Sequence, residues 1–577
     1  MKEYKKYLKG IWIPIVLAPV LMVIDALASL VQPYFLSEII DVGIANNDVS
    51  YIIQCGIIMI IFALFGMFAG FGAMYFSSKA SYGFAANLRK GVMSKIQEFS
   101  FANINKFTTS SLITRATNDI EVVSGIVQML LRMAVRSPIM FIGGLIMALA
   151  MSKQLSLILI FLIPLILTLI VIVIKKAIPY FEKLQKKIDG VNKVIRENII
   201  GIKVVKTFVR EEQQAQRFDV ANRELKDINI ITYNWLMVLM PIIIIILETT
   251  VAIVLWIGST LIEGGTMEIG QLSSFVMYIM MVVYSVIMLS MLFVNFSRAT
   301  ISSKRILEVL NEKVDIINTD TADINAQIEN GSIEYNVDNF EFANIEGKSI
   351  LKNIKFSANV GDKIAIIGTI GSGKSTLVNL LPRFYDVTDG YVNIDGRNVK
   401  EYTIKTLRES IGMVLQENKL FSGTIKDNIK WGKEDATDEE IIEACKISQI
   451  HDFIIEQPNQ YDFIVEERGK NFSGGQKQRL CIARALIKKP KILILDDSVS
   501  ALDGMTEKKL MSNLKQYCSD MTLIIIAQRI SSCRDANKIL VMDDGQIKQI
   551  GTHEELINID GIYKEINDSQ QEVIIDE

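Results

Sequence analysis

Six long apolar segments occupy the first half of this 577-residue chain, and they restrict what it can fold into. Three stretches, 49–78, 154–174 and 269–297, contain no Asp, Glu, Lys or Arg. A helix needs roughly 20 apolar residues to cross a bilayer, and these charge-free stretches are too long for buried helices of a globular core. We therefore predict six transmembrane helices. They lie at approximately 11–33, 52–77, 130–151, 155–174, 236–262 and 271–296.

The basic residues indicate which ends of these segments face the cytoplasm. Lys and Arg cluster before the first segment, between the second and third, between the fourth and fifth, and after the sixth. The connections 34–51 and 263–270 contain acidic residues but no Lys or Arg. Because positive residues accumulate on the cytoplasmic side, we predict a multi-pass protein of the cytoplasmic (inner) membrane, with both termini and the soluble half in the cytoplasm.

The two interior connections, about 79–129 and 175–235, are much longer than the outer ones and contain few Gly or Pro. Their helical patterning predicts helices that continue well out of the membrane. We expect these helices to reverse at 104–111 and 207–215, where another part of the protein must contact them. The predicted domains are a transmembrane domain at 1–312, a linker at 313–330 and a soluble domain at 331–577.

A glycine-rich loop provides the first chemistry of the soluble half. It follows a predicted buried strand at 363–367 and precedes a predicted helix at 376–380. Glycines let consecutive N–H groups face phosphates, while Lys374 adds a positive charge and Ser375 offers a hydroxyl to Mg²⁺. We predict that this loop binds a nucleoside triphosphate. Its ligands are predicted to be Gly368, Thr369, Gly371, Ser372, Gly373, Lys374, Ser375 and Thr376.

A second buried strand, predicted at 491–495, ends in Asp496 and Asp497. An acid at the carboxyl end of a parallel strand, opposite a phosphate loop, can hold Mg²⁺. We predict this role for Asp496.

Another anion site is predicted between the loop and this strand, at the start of a helix that runs to about Ala485. A serine and two glycines at a helix N-terminus expose unpaired N–H groups. One nucleotide cannot use both anion sites if they are far apart, which suggests that one of them serves a second subunit. The motif consists of Ser473, Gly474, Gly475 and Gln476.

At these residues the chain resembles the ATP-binding-cassette (ABC) exporters, specifically half-transporters with six spans fused to one nucleotide-binding domain. The resemblance covers essentially the whole length, and its most specific element is the motif 473–476, which ordinary phosphate-loop ATPases lack. It implies a multidomain fold: an all-α six-helix transmembrane domain with long cytoplasmic helical extensions, then an α/β ATPase cassette. It also implies two half-transporters with two ATP molecules sandwiched between them, each touching one chain's loop and the other chain's signature.

Further residues take their expected roles from this resemblance. Phe342 resembles the aromatic residue that stacks on adenine, and Phe340 is a rival for that role. Gln416 resembles the glutamine that senses Mg²⁺, the γ-phosphate and the membrane domain. Segment 500–503 resembles the loop that communicates across the dimer. Segment 467–469 resembles the short segment that touches the coupling turns. The implied coupling regions lie within 105–119 and 197–212.

The chain departs from the family's pattern at two catalytic positions. The family usually has Glu directly after the Mg²⁺-site aspartate, where this chain has Asp497, and a switch His where this chain has Gln528. Removing one methylene withdraws a carboxylate by roughly an ångström, and misplacement on that scale can cost about a hundredfold in rate. Gln can hydrogen-bond a phosphate but cannot become cationic. We predict a degenerate site that holds ATP and hydrolyses it slowly.

A homodimer of such chains would contain two slow sites. Because the signature at 473–476 is intact, we expect a heterodimer in which a second half-transporter supplies Glu and His. The alternatives are a homodimeric lipid or peptide exporter and, in a different class, a nucleotide-gated channel or regulatory subunit. The net charge of −3 does not favour nucleic acid as a partner.

Two acids interrupt the predicted spans, Asp25 in the first and Glu248 in the fifth. Ionisable groups at membrane depth are costly and normally face a cavity or a partner. They are candidates for the counter-charge of a cationic, lipophilic substrate, which would suit a multidrug exporter. The alternative is that they are hydrogen-bonded or hydrated acids between helices.

Overall fold

The computed structural model describes residues 2–342, 347–517 and 520–575. It divides into two compact units. The first comprises 1–95 and 110–311, and the second comprises 96–109 and 312–577.

The first unit is helical almost throughout. A 3₁₀-helix at Lys2–Leu8 precedes the first long helix, and a π-helical turn at Ile39–Ile44 extends that helix. The helices up to Asn311 are α1 (Trp12–Glu38), α2 (Val49–Glu98), α3 (Phe101–Phe107), α4 (Thr109–Ala116), α5 (Asn118–Met151), α6 (Lys153–Ile200), α7 (Ile202–Thr207), α8 (Glu211–Met237), α9 (Leu239–Glu263) and α10 (Ile269–Asn311). Within the described part of the chain, six helical stretches are long and apolar enough to cross a membrane.

The lengths of these helices confirm the prediction of long helical extensions. α2 has 50 residues and α6 has 48. At about 1.5 Å per residue each is roughly 70–75 Å long, whereas the hydrocarbon core of a bilayer is about 30 Å thick. More than half of each helix therefore extends beyond the hydrocarbon.

The core of the first unit forms where apolar side chains repeat at three- and four-residue intervals. On α6 these are Leu155, Leu159, Leu162 and Ile166, all buried. They belong to one cluster with Phe275 and Tyr278 of α10, which are also buried. Such spacing places side chains on one face of a helix, so the face that packs is set by the sequence.

The second reversal lies within the predicted 207–215. α6 ends at Ile200 with Gly201 as its C-cap, α7 follows, and the chain turns through Val209, which has a φ of +50°. The turn residues are 208–210, and α8 begins at Glu211, because acidic residues stabilise the N-terminus of a helix.

The segment 96–109 also differs from the prediction, because it packs with the second unit rather than with the predicted transmembrane domain. The ring of Phe101 on α3 lies 4.7 Å from that of Phe384. Asn103 Nδ2 donates to the carbonyl of Lys313 at 3.0 Å, and Lys106 Nζ pairs with Glu312 at 2.7 Å. Aromatic packing and these polar contacts hold the first reversal against the second unit.

Within its described residues, the second unit contains three sheets. Its strands are β1 (Ile333–Glu341), β2 (Ser349–Ala358), β3 (Lys363–Gly368), β4 (Asp389–Ile394), β5 (Arg397–Asn398), β6 (Ile411–Val414), β7 (Gly423–Thr424), β8 (Ile464–Val465), β9 (Ile492–Asp496), β10 (Thr522–Ile526), β11 (Lys538–Asp543) and β12 (Gln546–Gly551). A four-stranded antiparallel sheet has the order β2-β1-β4-β5, and a six-stranded sheet has the order β12-β11-β3-β10-β9-β6. β7 and β8 form a short pair.

Helices connect the strands that follow β3, and several of them pack on the six-stranded sheet. They are α11 (Lys374–Asn379), α12 (Ile404–Ser410), α13 (Ile425–Lys430), α14 (Asp438–Ile447), α15 (His451–Ile455), α16 (Gly474–Leu486), α17 (Gly504–Tyr517), α18 (Ile530–Cys533), α19 (His553–Ile557) and α20 (Ile562–Ile575). Leu493 and Leu495 of β9 belong to one hydrophobic cluster, and Ile492 and Ile494 to another. A strand buried on both faces must be apolar throughout, as this one is.

The sheet brings the predicted catalytic residues to one edge. β3, β10, β9 and β6 are parallel neighbours. Because carboxyl ends of parallel strands meet at the same edge, the segments that follow these strands lie side by side. Ile526 is in register with both Ile366 and Asp496, and Val414 with Leu495.

Candidate functional site

The loop between β3 and α11 has a backbone that requires glycine. Gly368, Gly371 and Gly373 have φ values of +152°, +83° and +93°. A Cβ added to Gly368 would lie 1.9 Å from the carbonyl oxygen of Met542, whereas one added to Gly371 would meet no atom within 4 Å. Gly368 therefore allows close packing of β3 on β11, and Gly371 leaves open space over the loop.

Lys374 begins α11, and its side chain folds back over the loop. Its Nζ donates to the carbonyl oxygens of Gly368 at 3.0 Å and Thr369 at 2.7 Å. Burial lowers the pKa of the Lys374 ammonium, while the charges of Asp496 and Asp497 oppose that shift. The positive charge is thus held where phosphates would enter the loop.

The Ser375 hydroxyl donates to Oδ1 of Asp496 at 3.0 Å. Burial raises the pKa of Asp496, and the bond from Ser375 partly opposes this. A hydroxyl and a carboxylate are oxygen ligands of the kind that Mg²⁺ prefers, with phosphates and water completing its shell. In residues 2–342, 347–517 and 520–575 no group of three His, Cys, Asp or Glu side chains forms a metal site. The oxygen pair fits a Mg²⁺ that arrives with a nucleotide.

Ser372 contributes an unusual polar atom to the loop. Its side chain is buried, yet its Oγ has no hydrogen-bond partner among the described residues. A buried hydroxyl without a partner costs free energy, about 1–3 kcal/mol in proteins, and calls for an explanation such as a missing ligand. Thr376, in the first turn of α11, is half-buried.

The two departures from the family's pattern meet in space. Gln528 Nε2 donates to Oδ2 of Asp497 at 2.6 Å, and Asp497 N donates to the carbonyl of Ile526 at 3.2 Å. Asp497 has a φ of +50°, in the left-handed region that costs energy for a residue with a Cβ. The carboxylate predicted to polarise water is therefore held by an amide N–H that cannot accept a proton.

Gln416 follows β6 at the same edge of the sheet. It is exposed, and within the part of the chain that the structure describes its side-chain amide makes no hydrogen bond. Its backbone carbonyl accepts from Asn418 Nδ2 at 3.4 Å. The side chain is therefore available to a ligand that enters beside Asp496.

The signature motif caps α16. Ser473 Oγ accepts from the N–H of Gln476 at 3.3 Å, and Gln476 Oε1 accepts from the N–H of Ser473 at 2.8 Å. This reciprocal cap leaves the amides of Gly474 and Gly475 at the helix N-terminus. A Cβ on Gly475 would lie 3.0 Å from the carbonyl of Ala501, in the predicted communication loop.

This communication loop, 500–503, is joined to the signature helix rather than to the phosphate loop. Gln478 Oε1 accepts from the N–H of Ala501 at 3.3 Å. No hydrogen bond among the described residues connects 473–476 with 368–376. Within one chain, the structure thus assembles the phosphate loop, Asp496, Asp497, Gln416 and Gln528 at one edge, and the signature makes separate contacts.

An aromatic cluster lies beside the predicted adenine position. Phe340 is buried with 1% exposure, whereas Phe342 is half-buried, so Phe342 is the one able to stack on a base. The Phe342 ring lies 5.1 Å from that of Tyr385, which is 6.3 Å from Phe101. Sequence reasoning missed Tyr385 and Phe101; the signal was one aromatic residue shortly after the phosphate loop and another just before the first coupling region.

The predicted substrate acids differ in their surroundings. Asp25 is buried on α1 and forms an ion pair with Arg136 of α5. Glu248 is exposed on α9, beside a buried stripe that includes Leu247. Sequence reasoning missed Arg136, although an arginine inside a predicted span is a signal for a partner of opposite charge.

Comparisons with known proteins agree with this architecture. Residues 15–286 match the ABC transporter transmembrane region, and residues 351–500 match the ABC transporter family model. The chain is 37% identical to the ABC transporter ATP-binding protein YfiB of Bacillus subtilis, over 99% of this chain and 98% of YfiB. It is 34% identical to Rv1273c of Mycobacterium tuberculosis, over 95% and 94% of the two chains.

A solved structure shares the fold. A bacterial Atm1-family ABC exporter with ATP bound superposes with a TM-score of 0.80, covering 96% of this chain and 97% of the other, at 24% identity. The fold is therefore that of an exporter-type half-transporter, as predicted. With a six-span helical region and an ATPase cassette in one polypeptide, this chain belongs to the ABC transporter family.

Proposed function

We propose that this chain is one subunit of a heterodimeric ABC exporter, and that its own phosphate loop forms a slowly hydrolysing ATP site. The observation that carries the proposal is the 2.6 Å hydrogen bond between Gln528 and Asp497. The two residues that differ from the family's catalytic pair bond to each other. The transported molecules are small and lipophilic or amphiphilic, and they leave across the cytoplasmic membrane.

The residues of the loop account for retention of nucleotide. When bound, MgATP supplies the phosphoryl group that is transferred to water. Lys374 and the amides of 368–375 would hold the phosphates, Ser375, Gln416 and Asp496 would hold Mg²⁺, and Phe342 would stack on the adenine. These contacts require only charge, N–H donors and oxygen ligands, all of which the chain retains.

Hydrolysis requires more than retention. The attacking water must lose a proton and must be aligned by a base within hydrogen-bond reach. Asp497 would have to do both, although its side chain is one methylene shorter than Glu and one of its oxygens bonds Gln528. Gln528 can donate to a γ-phosphate but cannot carry a positive charge there. We expect a nucleotide to stay bound through many cycles of a faster site.

The intact signature supports a partner. Ser473, Gly474, Gly475 and Gln476 present capped helix-terminal amides that do not bond this chain's own loop. In the family arrangement they complete the partner's ATP site. The partner would supply Glu and His for that site, so hydrolysis there depends on this chain's signature.

A cleft in the second unit supports docking of the partner's coupling turn. It has a volume of about 430 Å³, and its lining combines the exposed rings of Phe421 and Trp431 with Arg484 and Lys488. This chain's own second turn carries the matching chemistry, with Phe208 and Val209 largely exposed and two acids following at 211–212. A turn of this kind on the partner would fill the apolar part and pair with the cations.

ATPase activity of the chain purified alone tests the degenerate site. We expect slow turnover, with bound ATP recovered intact from the protein. Asp497→Ala should change the residual rate little, whereas Lys374→Ala should abolish nucleotide retention because it removes the charge over the loop. Robust turnover that Asp497→Ala abolishes would refute the degenerate site.

Co-purification tests the pairing. A tagged form of this chain expressed with a second half-transporter that has Glu and His at the corresponding positions should form a stable complex. The complex should hydrolyse ATP faster than either chain alone. An isolated homodimer with full activity would instead support the homodimeric alternative.

A further inference from the structure

Four polar residues form a stripe along α5. Ser124, Gln128, Arg132 and Arg136 recur at four-residue intervals, which places them on one face of the helix. The stripe extends from the extramembrane part of α5 into the predicted third span, where polar side chains are costly unless they have partners. A helix that keeps four polar groups on one face through this region requires partners for each of them.

Three of the four residues have such partners in the first unit. Ser124 and Ser81 of α2 are joined by hydroxyl and carbonyl hydrogen bonds of 2.7–3.1 Å. Gln128 Nε2 donates to the hydroxyl of Ser78 at 2.9 Å. Arg136 forms its ion pair with Asp25.

Arg132 is the exception. Among the described residues it makes no hydrogen bond and no ion pair, and its side chain is half-buried between the positions of Gln128 and Arg136. Its neighbours on the stripe, Gln128 and Arg136, carry no negative charge that could compensate it. A guanidinium with five N–H donors therefore has no acceptor within the described part of the chain.

The predicted third span, which begins at about 130, indicates the depth of this group. Arg132 lies at the start of that span, and Arg136 lies one turn further in, about 6 Å along α5 at about 1.5 Å per residue. Arg132 therefore lies where the headgroup region meets the hydrocarbon core.

The ion pair of Asp25 and Arg136 has no net charge, and α2 packs closely against the Asp25 carboxylate. Gly66 and Gly70 of α2 face Asp25, and a Cβ on Gly70 would lie 3.3 Å from its Oδ1. The Asp25 side chain is 13% exposed, whereas that of Arg136 is 44% exposed. The accessible side of the pair is thus cationic, next to the unpaired cation of Arg132.

We propose that Arg132, with the exposed edge of Arg136 beside it, binds the anionic headgroup of an amphiphile that the transporter moves. This inference rests on the proposed transport function and identifies its substrate class. The headgroup is a carboxylate, sulfate or phosphate, since these accept paired N–H bonds from guanidinium groups. The charge of Asp25 is already compensated by Arg136, so this acid does not offer the counter-charge for a cationic substrate that the sequence suggested.

Binding of matched probes tests the proposal. The full-length chain is placed in phosphatidylcholine nanodiscs and titrated with two twelve-carbon amphiphiles that carry the same fluorophore. One probe ends in a carboxylate and the other in trimethylammonium. We expect the carboxylate probe to bind more tightly, and Arg132→Gln to weaken it at least about tenfold, since bonds to charged groups are worth about that much.

Two further variants separate a local effect from a general one. Arg132→Lys retains the charge and should keep part of the affinity, which also covers a failure of Arg132→Gln to fold. Lys153→Gln removes an exposed positive charge at the tip between α5 and α6 and should leave binding unchanged. Equal affinity for the carboxylate probe in wild type and Arg132→Gln would overturn the proposal.

ATP-driven movement of the same probes in proteoliposomes containing the partner chain separates the remaining outcomes. Slower movement of the carboxylate probe in Arg132→Gln supports the proposal. If Arg132→Gln loses co-purified phosphatidylglycerol but moves the probe normally, the residue binds bilayer lipid and the proposal is wrong. If neither probe moves in wild type although carboxylate binding depends on Arg132, the transport function fails while the anion site stands.

Discussion

The side-chain amide of Gln528 donates a 2.6 Å hydrogen bond to the carboxylate of Asp497, joining the ends of β10 and β9. This bond spans the two positions at which the chain departs from the family's catalytic pattern. It occupies one of the two carboxylate oxygens of Asp497. Restoring both residue types should therefore restore hydrolysis more than either change alone.

We expect Asp497→Glu combined with Gln528→His to raise ATP hydrolysis at this chain's own site at least tenfold, since a positioned base contributes about 10²–10⁴-fold. The rate of phosphate release by the assembled transporter measures this. Adding Lys374→Ala should remove the gain, because it empties the same site. An unchanged rate in the double variant would show that other features limit hydrolysis.

The signature and the phosphate loop of this chain should affect the assembled transporter unequally. Ser473→Ala removes the cap of α16 and, in the proposed heterodimer, a donor to the partner's nucleotide, so we expect it to lower ATPase activity severalfold or more. Lys374→Ala affects only the slow site and should reduce activity much less. Steady-state ATPase assays of the two variants in the same complex compare them. A greater loss with Lys374→Ala would reverse the assignment of fast and slow sites.

Asp496 should oppose stability in the absence of nucleotide. Burial raises its pKa, so its carboxyl binds a proton more readily in the folded state than in the unfolded state. Stability therefore falls as pH rises through the unfolded pKa towards the raised folded pKa, and the cost is fully present above the folded pKa. Asp496→Asn should raise the unfolding temperature of the nucleotide-free protein at pH 7, and this advantage should shrink towards acid pH.

The same variant should lose the stabilisation that MgATP provides, because an amide is a poor ligand for Mg²⁺ at this position. Thermal unfolding with and without MgATP measures both effects. A lower unfolding temperature for nucleotide-free Asp496→Asn at pH 7 would contradict the assigned direction of the pKa shift.

Alanine substitutions at two glycines of the loop should have different effects on stability and on nucleotide binding. Gly368→Ala would place a Cβ 1.9 Å from the Met542 carbonyl and should destabilise the cassette strongly. Gly371→Ala meets no atom within 4 Å but must adopt a φ of +83°, at a cost of about 1–2 kcal/mol. We expect Gly371→Ala to remain folded with weaker binding of a fluorescent ATP analogue. Similar unfolding temperatures for both variants would contradict this reading of the loop.

Sequence reasoning predicted the architecture well, since apolar spans and the phosphate loop depend on short local patterns. The six spans, the two-part fold and the family were confirmed. The chain turns at 208–210, inside the reversal assigned to 207–215, but the acids at 211–212 begin a helix rather than extend the turn. Local composition does not decide between these two uses of an acidic residue at a helix end.

The roles of individual site residues remain predictions, but their positions illustrate what a linear reading omits. Asp25 was recognised as a costly acid in a span, whereas its partner Arg136 is more than a hundred residues away and was not considered. Tyr385 and Phe101 likewise come together only in the folded second unit. Contacts between distant segments depend on packing, and no single segment contains that information.

The sequence by itself determined that this protein is an ABC half-transporter, because spans, glycine loop and signature each have a local physical requirement that few residue types satisfy. It also contained both catalytic substitutions. Only the tertiary structure decided that Asp497 and Gln528 bond to each other and that Arg132 has no acceptor among the described residues. Asp497 and Gln528 meet because they follow neighbouring parallel strands. The partners available to Arg132 depend on which helices pack against its face of α5. Both are properties of the folded chain.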